Sequence, residues 1–208
     1  MPLWQRLETL SPFCAILYSM LRTALLLIDF QKDYFPGGKY PLVNALDAAK
    51  KAYMILQCFR EHGGHHVHIQ HISKKPDATY FISGDRGTDI HDSVAHFEGE
   101  PIVYKHEKNA FLNTDLLELL KSWEIERVIL TGMATHMCVD ATARAAYDLG
   151  FQVIIVEDAC ATRDLTFGNT TIPADTVQKS FLAALKSYGK VMKSEEILAL
   201  LAAEQEKQ

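Results

Sequence analysis

Unbroken apolar runs alternate with amphipathic stretches along most of the chain. Residues 23–28 (TALLLI) are apolar without interruption, the pattern of a strand buried on both faces of a parallel sheet. From 44 to 62, Leu46, Ala49, Tyr53, Leu56 and Phe59 recur at helical spacing, and Gly63-Gly64 closes the helix. A second strand is expected over 65–72 and a short third over 102–104, followed by a helix from about residue 113 or 114 to Trp123. The run 127–130 (RVIL) is a fourth strand, turning directly into a helix that ends at Gly150. Residues 151–156 give a fifth strand, 174–188 a helix, 190–192 a short strand and 194–203 a last helix. Strands alternate with helices without repeats or an internal linker, which predicts an α/β fold with a doubly wound sheet. One stretch breaks the rhythm. Residues 73–101 are rich in Pro, Gly, Asp and Ser, and a connection that long inside a domain is usually a lid or binding loop.

Composition narrows the picture. At 208 residues the chain suits one sizeable domain, and 48% apolar with 23% charged residues is ordinary for a globular protein. A net charge of -5 without a basic run argues against a nucleic-acid partner. Cys14, Cys58, Cys138 and Cys160 lie far apart with no CxxC spacing, which fits a reducing, cytoplasmic setting and gives no zinc signature. Residues 1–19 contain an apolar stretch after Arg6 that faintly resembles a signal peptide but has no A-x-A site and is too short to span a membrane. They are expected to be an extension outside the fold, with one domain over 20–208.

The candidate chemistry sits at strand ends. Asp29 closes the first strand, where open α/β sheets place ligand chemistry, although a turn aspartate would look the same. Lys105 closes the third and matters only if it faces Asp29 and Cys138 rather than solvent. Cys138 falls in the first turn of the helix after the fourth strand. Thr135 is placed to cap that helix, which would put Cys138 at N3, where free N–H groups and the helix dipole favour a thiolate. A buried structural cysteine is the alternative. His62, His65, His66, His68 and His71 invite a metal reading. Alternation puts His66 and His68 on one face and His71 on the other, and no Asp or Glu of suitable spacing joins them, so hydrogen-bonded or solvated histidines are preferred.

Three motifs then come together. Asp29-Phe30-Gln31-x-Asp33-Tyr34-Phe35, Lys105-x-x-x-Asn109-Ala110-Phe111 and Gly132-Met133-Ala134-Thr135-x-x-Cys138-Val139-x-Ala141-Thr142 occur in that order. With Asp158-Ala159-Cys160-Ala161-Thr162 they resemble the isochorismatase-like cysteine hydrolase superfamily, and within it the nicotinamidase-related amidohydrolases. The resemblance spans roughly residues 23–192. It implies a three-layer α-β-α, six-stranded, mostly parallel Rossmann-like sheet. It also implies a catalytic Asp29–Lys105–Cys138 triad, a cis peptide at Met133–Ala134 and an oxyanion hole from the N–H groups of Ala134 and Cys138. The substrate implied is a small amide, carbamoyl compound or ureide cleaved through a thioester, in a homo-oligomer (dimer or tetramer).

Nicotinamidases of this superfamily bind a metal through Asp-x-His and a further His after the second strand. Here the matching residues are His71-Ile72-Ser73, so no metal and no other cofactor is expected. Candidate substrate contacts are Gln31, Phe35, Tyr80, Phe81, His91, Phe111, His136 and Met137. Two other readings stay open: a vinyl ether hydrolase of the isochorismatase type, and a binding protein that kept the fold without turnover.

Overall fold

In a computed structural model describing residues 21–206, the sheet is built outward from a strand buried along its whole length. The extension expected at 1–19 lies outside the described residues. That strand, β1 (Thr23–Ile28), is followed by α1 (Ala45–Glu61), β2 (His65–His71), β3 (Ile102–Lys105), α2 (Leu116–Ser122) and β4 (Arg127–Met133). A π-helical turn, Thr135–Val139, leads into α3 (Asp140–Asp148). Then come β5 (Gln152–Ala161), β6 (Leu165–Phe167), β7 (Thr170–Ile172), α4 (Ala174–Leu185), β8 (Lys190–Met192) and α5 (Ser194–Glu206).

Six strands form one sheet in the order β3-β2-β1-β4-β5-β8, and each neighbouring pair is parallel. β6 and β7 pair separately as an antiparallel hairpin, which the sequence pattern did not suggest. Along β1, Leu25 and Leu27 face a core shared with α1 and α5, while Ala24, Leu26 and Ile28 face a second core shared with α2, α3 and α4. This two-sided burial is why β1 is apolar at every position.

Helix α1 shows its sheet-facing side through alanines: Ala45, Ala48, Ala49 and Ala52 are buried together with Ile55, Leu56 and Phe59. Of the face expected from sequence, Leu46 and Tyr53 point outward and are about half exposed. Small side chains let the helix axis approach the sheet, so the larger apolar residues are left outside.

The chain steps from β1 outward through β2 to β3, then crosses back to β4 on the other side of β1. Reversal of strand order at β1/β4 opens a crevice at the carboxyl ends of these strands. Two glycines permit the close packing there. A Cβ on Gly132 (φ +139°) would lie 2.1 Å from the Ile28 carbonyl oxygen, and one on Gly87 would lie 2.0 Å from the Asp33 carboxylate.

Candidate active site

Asp29 follows β1 directly, in a left-handed conformation (φ +51°) that turns the chain sharply at the sheet rim. Its N–H is held by the Ile69 carbonyl of β2 at 2.9 Å. Lys105 ends β3, two strands away, and is level with His71 of β2. Strands lie ~4.8 Å apart, so a side chain from β3 must cross β2 to reach β1. Lysine has the length to do so. Its Nζ lies 2.8 Å from Asp29 Oδ2 and donates to Cys138 Sγ at 3.2 Å. It is also 2.9 Å from His71 Nδ1 and donates to the Glu107 carbonyl at 3.1 Å. Asp29, Lys105 and Cys138 are all 0% exposed. One cation, one carboxylate and one thiol thus meet out of contact with solvent.

The turn carrying Cys138 departs from the expected cap. The residue preceding the helical turn is Ala134, not Thr135, and the Thr135 hydroxyl donates to the Ala161 carbonyl at 3.1 Å. The extra residue of the π-turn accounts for the shift, with the Val139 N–H reaching back to the Ala134 carbonyl. The Met133–Ala134 peptide is cis.

Electrostatics reverse the thiolate expected from the helix start. Burial pushes the Cys138 thiol up to about 12; the Asp29 carboxylate adds to the rise and Lys105 opposes it. Burial likewise raises Asp29 above its ordinary value, against the pull of Lys105. Lys105 is raised despite its burial, because Asp29 and Cys138 favour the ammonium. At rest the sulfur is therefore a thiol, set beside Asp29 and the Lys105 ammonium.

A cavity of about 320 Å³ opens beside His71, which itself touches Lys105, with Tyr80, Phe81, His106 and Lys108 among its walls. Tyr80 and Phe81, expected as substrate contacts, both line this cavity. Phe81 is buried, and its N–H donates to Asp33 Oδ2 at 2.7 Å. Met137 is half-buried between the two cores. His136 turns to the end of β5, with Nδ1 2.5 Å from the Thr162 hydroxyl.

Four expected contacts lie elsewhere. Phe111 packs into the second core against Phe151, with ring centroids 6.0 Å apart, because its loop turns it toward α3. Phe35 and His91 stack on each other at 3.7 Å and line a separate cavity beside Lys39 and Asp85. Gln31 is a structural clamp: its Oε1 accepts from the His71 N–H at 2.7 Å, and its Nε2 donates to the carbonyls of His71 and Thr88, both at 2.8 Å.

Sequence reasoning missed two neighbours. Tyr34 is fully buried against Tyr40, Tyr80 and Phe81, its phenol raised well above its usual value by burial and by the charges of Cys138 and Asp29. His71 was read as one of five bland histidines, yet it touches the triad. Its position as the last residue of a strand was the available signal. His66 and His68 do share a face, but they also share a carboxylate. Glu100 lies 2.9 Å from His66 Nε2 and 3.7 Å from His68 Nε2, while Arg60 takes the same carboxylate with two hydrogen bonds of 2.7 and 2.8 Å. That acid comes from the long loop, too distant in sequence to be paired by spacing.

Among the described residues, Asp29, His71 and Cys138 form the one set of donors close enough to share a metal ion, within 4.8 Å of one another. The Lys105 ammonium contacts all three. A cation of the chain's own thus occupies the centre of that donor set.

The isochorismatase domain model matches residues 23–196. The chain belongs to the isochorismatase family. Protein YddQ of Bacillus subtilis (strain 168), an uncharacterized member, is 41% identical over 176 residues, 85% of this chain and 98% of its own. Maleamate amidohydrolase of Pseudomonas putida KT2440 is 28% identical over 156 residues, 68% of this chain and 73% of its own. A solved isochorismatase from the same organism superposes with a TM-score of 0.80 at 28% identity, covering 86% of this chain and 91% of that one. The protein is an isochorismatase-family hydrolase with the α/β fold of that family. No helix among its described residues is long and apolar enough to cross a membrane.

Proposed function

We propose that this family member hydrolyses a C–N bond of a small amide, carbamoyl compound or ureide, with Cys138 as nucleophile. The observation that carries the reading is the buried contact of Lys105 with both Asp29 and Cys138. A merely structural cysteine needs neither a carboxylate nor an ammonium beside it. The likeness to maleamate amidohydrolase supports an amide as the bond broken.

In this reading Asp29 takes the thiol proton as the sulfur attacks the carbonyl carbon, and Lys105 offsets the charge that moves onto sulfur. The tetrahedral oxyanion is held by the N–H groups of Ala134 and Cys138, each such donor commonly worth ~3 kcal/mol. Asp29 returns the proton to the departing amine, leaving a thioester on Cys138. It then deprotonates the water that releases the acid. One carboxylate acts as base, acid and base again, which its raised proton affinity suits. Assembly as a homo-oligomer, dimer or tetramer, belongs to the same proposal.

The test is ammonia release from a panel of small amides, carbamoyl compounds and ureides. The expected result is turnover of at least one member, lowered on the order of 10³-fold or more by Cys138→Ala. An ether hydrolase would release no ammonia and would tolerate loss of the thiol. A binding protein would turn over nothing.

A further inference from the structure

The mechanism above leaves His71 without a role, although its Nδ1 lies 2.9 Å from the Lys105 Nζ. An ammonium has protons to give and no lone pair, so Nδ1 is the acceptor and carries no hydrogen. In the neutral ring the proton therefore sits on Nε2. Titratable groups near the ring are Lys105, Lys108, His106 and Lys75, with Asp29 and Cys138 within 4.8 Å of one of its nitrogens. With burial, which dominates, the first four hold the imidazole down to about 3, so the ring is neutral across the physiological range. The backbone of His71 is clamped by Gln31, and its ring lies 5.6 Å from that of Phe81. No described residue hydrogen-bonds Nε2, and His71, in contact with Lys105, lines a cavity of about 320 Å³.

We infer that His71 is a substrate-orienting donor: its Nε2–H, set by the Lys105 contact, hydrogen-bonds an acceptor oxygen of the ligand. The ligand class that fits is a small amide carrying a second carbonyl-type oxygen, from a carboxylate or another amide, beside the scissile bond. A residue that only propped up Lys105 would need one acceptor, which the Glu107 carbonyl already supplies. The second ring nitrogen plays no part in such a prop, and it belongs to a side chain that lines the cavity, where a ligand atom can reach it. The words substrate and scissile rest on the hydrolase reading; the tautomer and the bound oxygen do not.

The experiment is ¹⁵N NMR of the His71 ring in Cys138→Ala protein, which binds without turning over. A neutral Nε2–H tautomer is expected from about pH 6 to pH 9. Succinamate, with a carboxylate, and succinamide, with amide carbonyls only, are then titrated in. A shift of the Nε2–H resonance with either supports the inference and identifies the oxygen. A proton on Nδ1, an imidazolium at neutral pH, or an Nε2–H that neither probe moves overturns it.

Two variants read the same question through kinetics on whichever amide turns over. His71→Gln places an N–H near the position of Nε2 and should keep kcat/KM within about tenfold. His71→Asn keeps an acceptor near Nδ1 but no donor beyond it, and should raise KM about tenfold or more with the acid limb of the pH profile in place. Equal losses in both, with that limb displaced, would reduce His71 to a prop. The NMR arm needs no turnover, so its failure is separable from failure of the hydrolase reading.

Discussion

Asp29 combines a left-handed backbone, complete burial and a cation at 2.8 Å. Burial raises its proton affinity, so the protonated form persists to a higher pH than for an ordinary aspartate. As a base it works only when ionised. Hydrolysis should therefore rise with pH through an acid limb lying above 3.8, the ordinary value, and fall as pH drops through it. The log of kcat/KM against pH measures this, and Asp29→Asn should remove the limb along with at least ~10²-fold of the rate. A limb at the ordinary carboxylate value would contradict the role. At this scale the sequence displayed which residues matter and hid their protonation. Cys138 looked like a thiolate because the start of a helix is visible in sequence, whereas burial and a neighbouring carboxylate are sums over the fold.

Among the elements, strands were legible wherever burial on both faces made them unbroken apolar runs, as in β1 and β4. β5 was read too short. Its continuation through Glu157 and Asp158 to Ala161 looks like a loop until its pairing with Gly132 and Met133 is seen. The hairpin β6–β7 has three residues per strand, too few for any period to show. On α1 the alanine face, not the bulky one, is buried, since a residue's size says nothing of how near a helix lies to its sheet. The long loop is fastened to the body by Gln31, by pairing of Gln31 with Ile90, and by Asp33 holding Phe81. Gln31→Ala strands the buried His71 N–H and takes a donor from the His71 and Thr88 carbonyls, of which Thr88 keeps Gln70 Nε2. It should lower stability by about 2–4 kcal/mol, read from the urea midpoint, and weaken activity through His71. No change in either would mean the clamp is idle.

At the scale of the molecule, the site exists because the strand order is not the chain order. The meeting of Asp29, Lys105 and Cys138 was legible because three motifs brought them together; His71 was not, because alternation assigns a residue to a face but says nothing of the rim beyond the last rung of a strand. The outer side of α1 exposes Leu46, Tyr53 and Met54, spaced so that they share one stripe of the helix. That apolar stripe supports the proposed homo-oligomer. Sedimentation should give a dimer or larger, and Leu46→Glu with Tyr53→Glu should shift it toward monomer without unfolding the chain. A monomeric parent would remove the proposal.

The loop from 73 to 101 divides the chain so that Asp29 and His71 lie before it, and Lys105 and Cys138 after it. Each fragment of a chain cut there would hold half of the chemistry and be silent alone. Re-pairing of β2 with β3 and of β1 with β4 would restore it. Complementation of the two halves, read as recovered ammonia release, would make the enzyme a reporter of its own reassembly.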